Sequence, residues 1–302
     1  MTSSIVTDPV TDPIALSVGC ELRFHPRGDG VIVLQIEAAR LPAQIIRQER
    51  LRVSAGNAGP LIAAESWVAP DGNRMIRVAP PHGGFPSELS IVYAAEVEPA
   101  VLSHDPATVD ETPLADLPLA AQTYLLPSRY CQSDKLHRLA AQEFGGLAPG
   151  HGRVTAICNW IYEKLEYQRG SSDAHTTVHD TLVSRVGVCR DFAHLGIALC
   201  RALGIPARFV SAYAAGLQPP DFHAVFEAYL AGRWYLFDPT RQASLDRIAR
   251  IGIGRDAADV SFATIYGNII PAKPAVKARA ENAHGDAARA PLTLRAVSLS
   301  EV

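Results

Sequence analysis

The sequence lacks any uninterrupted apolar run near the ~20 residues that a membrane-spanning helix needs, because its longest candidates are broken by Arg or Asp. No membrane partner is expected. The opening residues, MTSSIVTDPVTDPIALSVG, have neither the positive start nor the apolar core of a secretory signal, so a cytoplasmic location is expected. A concentrated basic run is also missing. With 28 Lys+Arg against 31 Asp+Glu and a net charge of -3, nothing supplies the cationic face that phosphate backbones require, and nucleic acid is not an expected partner. Cysteines number only five, at positions 20, 131, 158, 189 and 200, too few and too scattered for a disulfide framework. They suggest a reducing compartment, with room for one thiol that has a chemical task.

What is present is ordinary for a globular protein: 302 residues, 48% apolar and 20% charged. At roughly 100–200 residues per domain, that length accommodates two domains. Residues 1–100 read as short extended segments separated by turn signals every 8–12 residues, the pattern of an all-β, sandwich-like module. The RGDG at 27–30 lies between two such segments and reads as a hairpin turn. Residues 101–127, rich in Pro, Asp and Ala, read as a linker. Residues 128–270 begin with helices. Ser133 is placed to cap the first, and Val154, Ile157, Ile161 and Leu165 form the apolar stripe of the second, with Cys158 and Trp160 as packing residues. The third is VCRDFAHLGIALCRALGIP, with Phe192, Leu195, Gly196 and Leu199 on one face. The period then changes to two in ARFVSAY, HAVFEAYL and RWYLFDPT, the last pair joined at Ala231-Gly232. Helices followed by an antiparallel sheet make an α+β domain. Residues 271–302 read as a loose tail.

Cys189 falls at the start of the third helix, where backbone N–H groups and the helix dipole favour the thiolate form. A nucleophilic cysteine needs a base, and the base needs an orienting group. A two-residue turn at Ala231-Gly232 sets Leu230 opposite Arg233 and His223 opposite Thr240. Asp238 is then the diagonal neighbour of His223 on the same sheet face, at roughly 7–8 Å between backbones. A turn of odd length would put the two on opposite faces.

The blocks GVCRDFAHLGIALCRALGIPARFVSAY and DFHAVFEAYLAGRWYLFDPTR resemble the core of the transglutaminase-like superfamily, over a stretch from about Tyr124 to Phe262. YLLPSRYCQSD, LEYQRGSS and GRDAADVSFAT are similar to a bacterial transglutaminase-like cysteine protease subgroup that also carries a β-rich N-terminal region. The resemblance implies a papain-like/transglutaminase-like catalytic domain preceded by the all-β domain. It also implies that Cys189 is the nucleophile, His223 the base and Asp238 its orienting residue, with a peptide or protein amide as substrate. Hydrolysis is the leading expectation; amine transfer, glutamine deamidation and a non-catalytic binding module are the others. Papain-like relatives often place a Gln shortly upstream of the cysteine as an oxyanion donor, and VSRVGV has none. Tyr167 or Gln168 are candidates for that donor, and Trp234 for a flank of the cleft.

No cofactor or metal is expected. At about 100° per residue, Asp191 and His194 point some 160° and 140° away from Cys189, toward neighbouring loops. Cys189, His194 and Cys200 therefore do not share a face for a metal ion. His175 and His179 have the spacing of a ligand pair, but Thr176, Thr177 and Val178 between them make a poor helix.

Overall fold

The computed structural model describes residues 14–281 and 295–299. The opening residues 1–13, and positions 282–294 and 300–302 of the expected tail, lie outside the described residues. Strand β1 (Leu16–Leu34) is long enough to take four partner strands along it. β2 (Gln44–Ala55), β3 (Glu65–Val68), β4 (Arg74–Val78) and β5 (Leu89–Pro99) join it in the order β2-β5-β1-β4-β3. β6 (Leu102–His104) and the short α1 (Leu119–Gln122) follow, in a stretch that buries Val101, Val109, Leu117 and Ala121. The apolar residues between its prolines pin this connector onto the protein surface.

The helical layer consists of α2 (His137–Phe144), α3 (His151–Lys164), α4 (Val178–Ser184) and α5 (Cys189–Ala202), with the two-residue strands β7 (Glu166–Tyr167) and β8 (Val186–Gly187) paired in parallel between them. Ser133 starts a single 3₁₀ turn rather than capping a helix, and α2 begins at His137. The stripe Val154, Ile157, Ile161 and Leu165 is buried as its spacing requires. α5 goes beyond a one-sided stripe: every residue from Asp191 to Arg201 is buried. The other helices and a sheet enclose it, so even its polar members need internal partners.

That sheet is antiparallel, ordered β11-β10-β9-β12, from β9 (Ala207–Ala214), β10 (Phe222–Leu230), β11 (Arg233–Phe237) and β12 (Ile248–Gly254). Ala231 and Gly232 both have positive φ, 47° and 80°, the two-residue turn that matches strand twist, and Leu230 pairs with Arg233. α5 packs on β10 through Gly196, where a Cβ would sit 2.5 Å from Phe226 Cε1.

The chain then returns to the first sheet. β13 (Ala263–Pro271) and β14 (Ala275–Ala280) both pair with β1, and β15 (Ala296–Ser298) pairs with β6. The expected all-β unit is therefore not closed within residues 1–100, since two of its seven strands come from after the second sheet. Its core is shared as well: Leu22, Phe24 and Ile91 cluster with Tyr213, Phe222, Ala249 and Ile251. Main-chain and amide bonds reinforce the joint. Tyr213 donates to the Ile36 carbonyl at 2.7 Å, and Asn73 both donates to the Ile253 carbonyl at 2.7 Å and accepts its N–H at 2.9 Å. Among the described residues no helix is long and apolar enough to cross a membrane.

Because Gly196 lets α5 approach β10 so closely, Gly196→Ala is expected to lower stability by about 1–3 kcal/mol through overpacking against Phe226. Urea unfolding with an unchanged slope and a lowered midpoint is the measurement; an unaltered midpoint would contradict the tight packing.

Candidate active site

Cys189 is the first residue of α5, after the extended Val188. Asp191 holds this helix start in place: its Oδ2 accepts the Val188 N–H at 2.9 Å, and its Oδ1 faces the Arg190 guanidinium at 3.0 Å. Gly187 allows that fold-back, since a Cβ there would lie 2.9 Å from the Asp191 Cβ. Asp191 and His194 thus point away from the thiol toward neighbouring groups, His194 accepting the Ala257 N–H at 3.1 Å.

His223, the second residue of β10, has Nε2 2.8 Å from Asp238 Oδ2, both side chains being almost fully buried. The Cys189 side chain also hydrogen-bonds to this ring, which leaves Nδ1 as the nitrogen facing the sulfur. The three residues singled out in the sequence are therefore brought together. The diagonal relation of His223 and Asp238 follows from the register that pairs Phe226 with Phe237.

The loop after β11 completes the arrangement, and it was not foreseen. Asp238 Oδ1 accepts the Thr240 N–H at 2.9 Å and the Thr240 hydroxyl at 2.6 Å, while Oδ2 accepts the N–H groups of Gln242 and Ala243 at 3.2 and 3.0 Å. Arg241 sits at φ 55° within this turn and anchors it to α3, donating to Asn159 Oδ1 at 2.8 Å and lying 3.9 Å over the Tyr162 ring. The Asp-Pro-Thr sequence was the available signal, since Asp and Thr form such local turns.

Burial alone would push the His223 pKa down, but the Asp238 carboxylate and its hydrogen bond raise it to about 10. Burial would likewise raise Asp238, yet its contacts with His223, Thr240 and Ala243 hold it below the usual carboxylate range. His223 therefore adds stability that is complete below its ordinary value of 6.5 and is lost as pH rises through about 10; Asp238 adds stability present above 3.8 and lost on acidification.

The other thiols differ from Cys189. Cys20, Cys131, Cys158 and Cys200 are buried, and burial raises each above the ordinary thiol range, to about 11 for Cys20 and about 12 for Cys131, whereas Cys189 is half-buried.

Tyr167 is clamped beside Cys189 by the β7–β8 ladder, which pairs it with Gly187. Its hydroxyl accepts the Cys189 N–H and bonds to the Cys189 side chain. Gln168 is exposed, its backbone N–H donating to the Gly187 carbonyl at 3.0 Å. Trp234 is not at the thiol. It lines a different cavity with Tyr124 and Tyr229, and the Arg208 guanidinium lies 4.2 Å over its ring. Its place opposite Tyr229, toward the turn end of the hairpin, carries it away from His223. His179 lies in α4 while His175 precedes the helix, so the pair shares no helical face, and among the described residues no group of three metal-ligating side chains converges.

Cys189 opens onto a cavity of about 520 Å³. Leu22 and Phe24 of β1 line one side, Phe222 and Phe262 another, and Asp221 brings the loop before His223 to its edge.

A model of the transglutaminase-like superfamily matches residues 138–239, from α2 to just past Asp238. The crystal structure of a protein called a "putative cysteine protease" from Cytophaga hutchinsonii is similar along nearly the whole chain, with 36% identity, a TM-score of 0.87, and coverage of 97% of this chain and 99% of the other. An uncharacterized protein of Mycobacterium leprae is 35% identical over 120 residues, 36% of this chain and 42% of its own length. Another from Mycobacterium bovis is 34% identical over 143 residues, 42% and 46% respectively. The match thus spans less than half the length of these curated relatives.

The raised His223 value yields a direct test by NMR. The His223 ring C–H signals of the native protein are expected to titrate near pH 10. In Asp238→Asn, burial is no longer opposed by the carboxylate and the midpoint should fall below 6.5. Titration near 6.5 in both proteins would contradict the buried ion pair.

Proposed function

The chain belongs to the transglutaminase-like superfamily, and from that premise we propose that it is a cysteine-dependent amide hydrolase acting through Cys189, His223 and Asp238. The observation that carries this reading is the continuous contact from a half-buried thiol at a helix start, through the His223 ring, to a buried carboxylate. The Cytophaga protein, called a "putative cysteine protease", supports hydrolysis of a peptide bond as the reaction.

In this mechanism the Cys189 sulfur attacks the amide carbonyl carbon, forming a C–S bond and a tetrahedral oxyanion. His223, held protonated by Asp238, passes its Nδ1 proton to the leaving nitrogen as the C–N bond breaks and the amine departs. Neutral His223 then takes a proton from water, whose oxygen attacks the thioester; the C–S bond breaks, the carboxylic acid leaves, and the thiolate and imidazolium are restored. Asp238 keeps the ring oriented and its charge balanced throughout. The developing oxyanion needs donors aimed at it. The Cys189 N–H is one, released as the oxyanion displaces the Tyr167 hydroxyl from it, and that hydroxyl, turned toward the oxyanion, supplies the second that the missing upstream Gln would have provided. A reducing compartment such as the cytoplasm suits a mechanism that depends on a free thiol.

Iodoacetamide is expected to alkylate Cys189 well ahead of the four buried cysteines, and equal labelling of all five would refute the nucleophile. Cys189→Ala should leave the unfolding midpoint unchanged and reduce turnover of a cleavable peptide about 10⁴-fold or more. Mass analysis of products from a peptide and Gln-amide library identifies the chemistry, since chain cleavage supports hydrolysis, while loss of ammonia or incorporation of an added amine would replace it with deamidation or amine transfer.

A further inference from the structure

The cavity in front of Cys189 presents two chemistries in its wall. One part is apolar. The Phe222 and Phe262 rings stack at 4.1 Å, and Leu22 and Phe24 of β1 face the same space. The other part is cationic: Arg23, Arg169, Arg190 and Lys273 line the cavity against a single carboxylate, Asp221. Two of these cations are already engaged, Arg23 with Glu21 at 2.6 Å and Arg190 with Asp191 at 3.0 Å. Arg169 and Lys273 have no carboxylate partner among the described residues, and the bond Arg169 makes is to the Pro219 carbonyl at 3.4 Å. Asp221 is exposed, and its Oδ1 accepts the N–H of the adjacent Phe222 at 2.8 Å.

This positive excess runs against the composition, since the chain as a whole carries -3 and has only four lysines. Lys273 is held at the cavity by its neighbours. It lies between Pro271 and Pro274 in the turn linking β13 to β14, where the Ala272 N–H donates to the Arg23 carbonyl at 2.8 Å. Arg169 and Lys273 line the cavity with exposed side chains, so their attraction for a bound anion is long-range and weakened by salt.

We propose that the acyl donor is an acidic peptide, with an apolar side chain next to the scissile amide seated against Phe24, Phe222 and Phe262, and carboxylates directed to Arg169 and Lys273. The inference rests on the assignment of Cys189 as the reacting group, because that is what makes this cavity the substrate's. It adds the class of substrate that the wall selects.

The test separates binding from turnover by using Cys189→Ala protein. Fluorescein-labelled peptides that share a central Phe and carry two flanking Glu, two Gln or two Lys are titrated by anisotropy at low and high salt. The Glu peptide is expected to bind about tenfold or more tighter than the Lys peptide at low salt, with the difference shrinking at high salt. Arg169→Glu combined with Lys273→Glu should reverse the order, and the corresponding Met changes should abolish it without reversing it. Arg138→Glu, on the exposed face of α2, should leave it unchanged. Equal binding of all three peptides, no binding of the Glu peptide, or an order indifferent to the double substitution would overturn the inference. Tight binding of the Glu peptide that the native enzyme then fails to cleave supports it and counts against the hydrolase reading instead.

Discussion

The buried pair between His223 and Asp238 is the interaction on which the rest of this structure depends. Removing an imidazolium and a carboxylate from water costs several kcal/mol each, and one contact at 2.8 Å does not offset that by itself. The remainder comes from the turn after β11, where two backbone N–H groups and both polar groups of Thr240 use the other lone pairs of Asp238. That turn must be rigid to do so. Arg241, in a left-handed conformation, ties it to α3 through Asn159 and Tyr162. A charged histidine at the surface of a sheet would need none of this; one that must stay protonated beside a thiol needs all of it.

A second buried ion cluster on the same sheet follows the same rule. Glu227, two turns of the pleat beyond His223 on β10, is flanked by Arg208 of β9 at 2.6 Å and by Arg250 of β12. The two guanidinium groups hold its carboxyl below the usual range even though burial alone would raise it. Glu227 therefore fastens β10 to β9 beside it and, across β9, to β12, and His223 lies on a strand whose position is fixed from the middle of the sheet.

The parts of the site that were legible in the sequence are those governed by short-range periodicity. The apolar stripe of α3, the helix start at Cys189, and the register set by Ala231 and Gly232 all follow from spacings of a few residues. Together they bring Cys189, His223 and Asp238 to one place. Trp234 was misplaced because a residue type suited to a cleft says nothing about which cleft. Its neighbour across the strand, Tyr229, decides that it joins Arg208 and Tyr124. Tyr167 reaches Cys189 only through the parallel pairing of β7 with β8, a contact of two residues each that no propensity pattern announces. The closing strands were illegible for a different reason. Ala275–Ala280 reads AVKARA, with little of the β-branched and aromatic content that marks a strand, and it becomes one because β1 offers a free edge beside it.

That free edge explains why the first sheet cannot be separated from the cavity at Cys189. β5 pairs only with Leu16–Phe24, so a second side of that stretch and the rest of β1 would present unpaired groups unless other strands covered them. β13 and β14 do so, and the link between them places Ala272–Pro274 over the Cys189 cavity while β1 itself contributes Leu22 and Phe24. Residues more than 240 positions apart in the chain thus form one wall. The helical layer and second sheet supply Cys189, His223 and Asp238, and the pairing requirement of a single long strand supplies a wall of the cavity onto which Cys189 opens.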